Sequence, residues 1–286
     1  MINTQDQFTD AFAEAVVERT RESLGGVHRL GVAFSGGVDS SVLVALAVRV
    51  LGVDRVVPIL GVSPSLPAEE RLAAHQVART IGVAVVEVAT YEGERAAYVA
   101  NGPDRCFHCK DELFSRISDE VVTSQRLDAV AYGENADDAA RPDRPGARAA
   151  TDHRVLRPLA DAGLTKADVR RLARLWQLPC ADKPAAPCLA SRIPHHEVVS
   201  PEKLLQIEQS EAGLRGLGFH DLRVRHHGDI ARIELREQDL IRAVSEPARS
   251  AILAAVQQAG FRFAVVDLAG MQSGGFTLTL LSQTNE

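Results

Sequence analysis

The sequence predicts an α/β protein: a doubly wound parallel sheet followed by a smaller α+β domain. Three observations carry that expectation. Short apolar runs alternate with segments of helical period through the first half of the chain, which is the pattern of consecutive βαβ units. A glycine-rich turn, Ser35-Gly36-Gly37-Val38-Asp39, separates the first apolar run from the next helix. Residues 180–201 then become proline-rich, charged and His-containing, which marks a change of domain.

Taken in order, residues 5–24 read as an amphipathic helix with Phe8, Phe12, Ala15, Val16 and Val17 on roughly one side. Residues 30–34 are the first strand. The helix after the turn carries Val42, Leu43, Leu46, Ala47 and Val50 and is closed by Gly52. A second strand at 56–62 ends at a turn marked by Pro64 and Pro67. A helix at 68–81, a strand at 83–88, a helix at 105–123 and a strand at 129–132 continue the alternation. Residues 133–158 are polar and rich in Pro, Gly, Arg and Asp, so they read as a long functional loop. A helix at 165–176 carries Trp176 with Leu172 and Leu175 on a core face. Beyond residue 200 the expectation is a helix at 201–217 and strands at 222–224 and 230–235 joined by a His-Gly-Asp turn. A helix at 237–259 and a strand at 261–268 follow. The domains are therefore drawn as 1–185 and 186–286.

The chain has 286 residues, 45% hydrophobic and 24% charged, which is the balance of a soluble globular protein. A formal net charge of −6 argues against a nucleic-acid partner, which calls for a basic footprint. No apolar run approaches the ~20 residues that span a bilayer, and the polar N-terminus lacks the apolar core of a signal peptide. Four cysteines without a secretory signal point to a reducing, cytoplasmic compartment.

Ser35-Gly36-Gly37-Val38-Asp39-Ser40-Ser41 has the makings of an anion site. Glycines permit positive φ and close approach of a ligand. Loop N–H groups and the helix N-terminus present partial positive charge. Ser35, Ser40 and Ser41 add hydroxyl donors, while Asp39, an anion, suits Mg²⁺ bridging phosphates. The plainer reading is a tight strand-to-helix turn with a serine cap. No lysine follows the glycines, so this is not the G-x-x-x-x-G-K-[ST] loop.

Cys106 and Cys109 share a helix face at i, i+3. Alone, the pair reads equally as half a zinc site, a redox pair or two core thiols. Cys180, beside Pro179 with no partner at metal spacing, reads as structural or incidental. Arg223 and Arg225 alternate in a strand and emerge on one face, either as a phosphate site or as a solvated basic face. Glu211 and Glu234 read as surface or salt-bridged glutamates, and His226 and His227 as exposed residues at a hairpin turn. His108 reads as a helix-surface residue.

The string SGGVDSS resembles the signature of the PP-loop ATP pyrophosphatases, whose fold is adenine nucleotide alpha hydrolase-like. Gly133-Glu134-Asn135-Ala136-Asp137-Asp138 is similar to a G-x-N-x-D-D stretch that many members hold near the nucleotide. Cys188-Leu189-Ala190-Ser191-Arg192-Ile193-Pro194, Arg141-Pro142 with Pro145-Gly146, and Leu222-Arg223-Val224-Arg225 with Asp229-Ile230-Ala231-Arg232-Ile233-Glu234-Leu235 narrow the resemblance to the LarE sulfur transferases. Two departures stand out: His195-His196 replace an aromatic and a glycine, and Met271-Gln272, before Ser273-Gly274, replace an aromatic and an arginine.

The resemblance implies an ATP-dependent enzyme of nickel-pincer nucleotide synthesis. Such an enzyme adenylates a carboxylate of pyridinium-3,5-biscarboxylic acid mononucleotide, releases pyrophosphate and AMP, and leaves a thiocarboxylate. It assigns ATP to Ser35, Gly36, Gly37, Val38, Asp39, Ser40, Ser41, Gly133 and Asn135, with Mg²⁺ at Asp39. It assigns the substrate phosphate to Arg223, Arg225 and Arg192, while Lys110, by its place after the cysteine pair, reads as a further substrate residue facing a phosphate or the activated carboxylate. Some members have one cysteine, which gives up its own sulfur. Others have three, which hold a [4Fe-4S] cluster. Cys106, Cys109 and Cys188 are similar to the second type, with one iron left open for sulfide. The resemblance also implies a homo-oligomer through residues 186–286. The rival expectation is a tRNA-thiolating or ammonia-using PP-loop enzyme, and a non-enzymatic ATP-sensing module is a third.

Overall fold

The computed structural model describes residues 4–141 and 145–271, with side chains from residue 11 onward. Pro142 and Gln272-Ser273-Gly274 lie outside the described residues, and so does the side chain of Phe8. The chain forms two compact units, Met1–Glu92 with Cys106–Ala186, and Gly93–Arg105 with Pro187–Glu286.

The first unit is built on four parallel strands: β1 (Leu30–Ala33), β2 (Val56–Val62), β3 (Val86–Ala89) and β4 (Ala129–Tyr132), in the order β3-β2-β1-β4. Val56, Val57, Ile59 and Leu60 are all buried, as expected where helices cover both faces of a parallel sheet. The helix Val38–Leu51 is apolar nearly all round. It is sandwiched because β1 and β2 take one side while the helices Thr4–Ser23 and Lys166–Leu175 take others. Leu43 and Leu46 are fully buried there. Truncating either to Ala removes about 2–5 kcal/mol. The helix Arg105–Arg116 brings Phe114 to the second core, where Phe114 packs with Ile59, Val88 and Tyr132. Chain order reverses between β1 and β4, so their C-terminal ends diverge and open a crevice.

The second unit pairs β5 (Leu222–His227) with β6 (Ile230–Leu235) as an antiparallel hairpin, and β6 with β7 (Phe263–Val266) in parallel. Leu222, Val224, Ile233 and Leu235 join Leu214, Val256 and Phe261 in its core. The helices Pro201–Gly216 and Ala248–Gln258 cover that face.

Several elements differ from the sequence expectation. The third strand starts at Val86, three residues late. The helix from Arg105 is regular only to Arg116 and widens into π turns over Ile117–Val122. Residues 133–158 are largely folded: Asn135 accepts a bond from the Asp138 amide and caps Ala136–Ala139, and Pro145 opens the helix Pro145–Asp152. The expected helix at 237–259 breaks near Pro247, which has no amide hydrogen to continue the ladder.

Candidate active site

The Ser35–Ser41 loop follows β1 into the crevice and closes on itself. Ser40 Oγ donates to the Gly37 carbonyl at 3.2 Å and accepts from the Ser35 amide at 3.2 Å, and the Gly37 amide donates to Ser35 Oγ at 3.3 Å. Gly36 has φ +70, and a Cβ there would lie 2.6 Å from the Ala74 Cα, so only glycine fits. Gly133, just past β4, faces the same demand. A Cβ would meet the Ser40 amide nitrogen at 2.6 Å. Gly133 therefore lets the chain after β4 touch the loop backbone at Asp39 and Ser40, whereas Gly36 lets the loop touch the backbone of the helix Ala68–Ile81. Val38 and Ser41 point inward and are buried.

Asp39 is held from two sides. Asn135 Nδ2 donates to its Oδ1 at 3.0 Å, and the Lys166 ammonium pairs with its Oδ2. Lys166 was not among the residues expected from sequence. It stands first in the helix Lys166–Leu175, where a cation opposes the helix dipole. That misfit was the one signal available. Glu134 is buried and pairs with Arg157 at 3.4 Å.

A cavity of about 220 Å³ lies over the loop. Ser35, Gly37, Asp39 and Ser40 form one wall, and Lys110 and Leu113 form part of another. Those two belong to the helix that carries the cysteine pair. Residues 106, 109, 110 and 113 fall on one helical stripe, but only Lys110 and Leu113 of the four line the cavity, and neither thiol does. Cys106 is exposed and Cys109 half-buried, and neither is in a disulfide.

In the second unit, Cys188 caps the turn Leu189–Arg192 and is half-buried. Its carbonyl accepts from the Ser191 hydroxyl at 2.7 Å and from Arg192 Nη1 at 3.2 Å. Buried Asn101, at φ +56, donates to the carbonyls of Ile193, Pro194 and Glu197 at 3.3, 2.7 and 3.1 Å. Arg105 donates to Asn101 Oδ1 at 2.5 Å and to the Ala190 carbonyl at 2.9 Å. The residue before Cys106 is thereby tied to the segment that follows Cys188, a link between distant parts of the chain with no local sequence signal.

The arginines are not a solvated face. Arg192 forms a two-point pair with Glu211 at 2.9 and 3.3 Å, and Arg225 with Glu234 at 2.9 and 3.0 Å. All four side chains are buried, so the two glutamates are interior partners and not surface residues. Arg223 is buried beside them. Desolvation, then the like charges of Arg225 and Arg192, push its pKa down. His226 and His227 are also corrected: His226 is buried, packs on Phe261 at 5.0 Å and meets Gln206 at 3.0 Å, and His227 is half-buried. Burial lowers both pKa values. His195 Nδ1 lies 3.3 Å from the Asn101 carbonyl. Cys180 is buried in the first core, and desolvation pushes its thiol up. Trp176 is partly buried against that core with Arg49 stacked on it at 3.9 Å.

No helix among the described residues is long and apolar enough to cross a membrane. No group of three His, Cys, Asp or Glu among them forms a metal site.

A parallel sheet with a self-bonded glycine loop at its switch point, and a carboxylate held over that loop, defines the ATP-using PP-loop class. Residues 7–118 match the asparagine synthase family. The chain is 38% identical over 261 residues to the uncharacterized protein slr1717 of Synechocystis sp., covering 91% of this chain and 96% of that protein. It is 33% identical over 264 residues to the pyridinium-3,5-bisthiocarboxylic acid mononucleotide synthase of Lactiplantibacillus plantarum, covering 90% of this chain and 92% of that one. The chain belongs to that synthase's family, the LarE-type ATP-dependent sulfur transferases.

Proposed function

We propose that the chain uses ATP to adenylate a carboxylate of pyridinium-3,5-biscarboxylic acid mononucleotide and replaces oxygen by sulfur, giving a thiocarboxylate for the nickel-pincer nucleotide. The observation that carries this reading is the shared wall: the helix of Cys106 and Cys109 lines, through Lys110 and Leu113, the cavity over the Ser35–Ser41 loop. Activation and sulfur chemistry then meet at one cavity.

In this reading the loop amides and the Ser35 and Ser40 hydroxyls hold pyrophosphate as it leaves. Asp39 offers the hard oxygen that Mg²⁺ takes together with phosphate oxygens. Asn135 and Lys166 orient that carboxylate. The substrate carboxylate attacks the α-phosphorus, and AMP departs when sulfur adds to the acyl carbon. Arg192, Arg223 and Arg225 hold the substrate phosphate, with Glu211 and Glu234 fixing two of the three guanidiniums.

Cys106, Cys109 and Cys188 would hold a [4Fe-4S] cluster. Their chemistry fits it: none of the three is in a disulfide, none is fully buried, and soft thiolates suit iron–sulfur. When bound, a cluster with three protein ligands leaves one iron open to carry sulfide. Residues 186–286 would form the substrate-binding and subunit-contact domain of a homo-oligomer.

The test is anaerobic incubation with ATP, Mg²⁺, sulfide and the pyridinium dicarboxylate nucleotide after reconstitution with iron. The expected result is AMP and a product with sulfur in place of oxygen. Iron content should fall in Cys106→Ala, Cys109→Ala and Cys188→Ala and persist in Cys180→Ala. Absence of AMP, with salt-sensitive tRNA binding instead, sinks this reading in favour of the tRNA-thiolating one.

A further inference from the structure

We infer that Gly146 and Tyr132 form a slot that fixes the Lys110 ammonium at the wall of the loop cavity, which makes Gly146 a positioning residue for the adenylating site. The inference rests on the function proposed above and adds a residue to it.

Lys110 stands one residue after Cys109, on a stem with four rotatable bonds. Such a side chain samples many positions unless something restrains it. Two neighbours do so. The Tyr132 ring, buried at the end of β4, lies 4.6 Å from Lys110 Nζ, within the range in which a ring face attracts a cation. Gly146 leaves room for the stem. A Cβ on Gly146 would stand 2.8 Å from Lys110 Cδ, 3.0 Å from Cε and 3.1 Å from Nζ. The three atoms nearest to that Cβ all belong to Lys110.

Glycine at this position has no backbone reason. Gly146 lies in the helix Pro145–Asp152 and is not among the residues with positive φ. Alanine is the better helix former in such a place. The glycine therefore serves the lysine. The obstructing atoms are the far end of a flexible chain, so a Cβ displaces the ammonium and leaves the fold intact. Tyr132 and Lys110 line the same cavity as Ser35, Gly37 and Asp39. The charge so placed faces the anionic oxygens of a nucleotide held by the loop, where a small displacement is costly to the reaction.

The test compares the parent with Gly146→Ala, Lys110→Met and the double variant, reading the melting temperature together with kcat and KM for AMP formation. Expected are an unchanged or raised melting temperature in Gly146→Ala, a kcat lowered about tenfold or more with KM for ATP within about threefold, and a double variant no slower than Lys110→Met. Parental kcat in Gly146→Ala beside a slow Lys110→Met, or fully additive losses, overturns the slot. Parental kcat in Lys110→Met overturns it as well. Should the parent form no AMP, the proposed function fails separately. The slot is then read by acylating Lys110 with a succinimidyl ester and mass spectrometry. Several-fold faster labelling in Gly146→Ala supports it, and an equal rate overturns it.

Discussion

Replacing Glu211 by Gln tests whether the arginine cluster depends on interior counter-charge. Glu211 sits mid-helix in Pro201–Gly216 with its side chain 1% exposed. Its oxygens accept from Arg192 at 2.9 and 3.3 Å, from Arg215 at 3.1 Å and from the Val224 amide at 3.1 Å. Glutamine keeps the volume and one acceptor, so packing and one bond survive. It removes the anion and turns an NH2 group toward guanidinium donors. Arg192 is left buried without its partner, a change that costs about 3–5 kcal/mol. Arg215 is 26% exposed and adds little. For a unit of this size the cost is a drop of about 10 °C or more. The control is Asp182→Asn, which breaks the Arg174–Asp182 pair at side-chain exposures of 58% and 73% and should stay within about 0.5 kcal/mol of the parent. Urea unfolding followed by circular dichroism reads both. A Glu211→Gln midpoint equal to that of Asp182→Asn would refute the argument.

Lys166→Ala leaves Asp39 with Asn135 alone, and kcat/KM for AMP formation should fall about 10- to 100-fold, the scale of one charge-assisted hydrogen bond; a parental value removes Lys166 from the site. His195, His226 and His227 have pKa values pushed down by burial, so the unfolded chain takes up protons first as pH falls. Their contribution is fully present above about pH 6.5 and is lost progressively below it. Urea midpoints should therefore decline from pH 7.5 to 5.5, and a rise on acidification contradicts the assignment. In the reduced, cluster-free protein, iodoacetamide should modify exposed Cys106 first and reach Cys180 only on unfolding, because the Cys180 thiol is buried and pushed up; mass spectrometry of the peptides checks the order.

What was legible in the chain was mostly short-range. The glycine loop, its flanking strand and helix, and the cysteine pair each occupy a few consecutive residues, so periodicity and turn chemistry were enough to read them. The period of two correctly set Arg223 and Arg225 apart from Val224. It could not say that the arginine face would be buried, because that depends on Glu211 and Glu234 arriving from another helix and strand. His226 was misread for a related reason. A hairpin end looks exposed until Phe261 and Gln206 close over it. Residues 133–158 looked like a loop because their helices are short and rely on a local cap, Asn135, and on a proline start.

The sequence by itself determined the alternation of strands and helices, the place of the phosphate-binding turn and the presence of three candidate sulfur ligands, since these follow from local backbone preference and side-chain chemistry. Only the tertiary structure decided that Lys166 would reach Asp39 across 127 residues, that Gly146 would make room for Lys110, and that two glutamates would neutralise two arginines inside the second unit. Such pairings depend on which surfaces pack together, and burial of apolar area sets that choice without regard to distance along the chain.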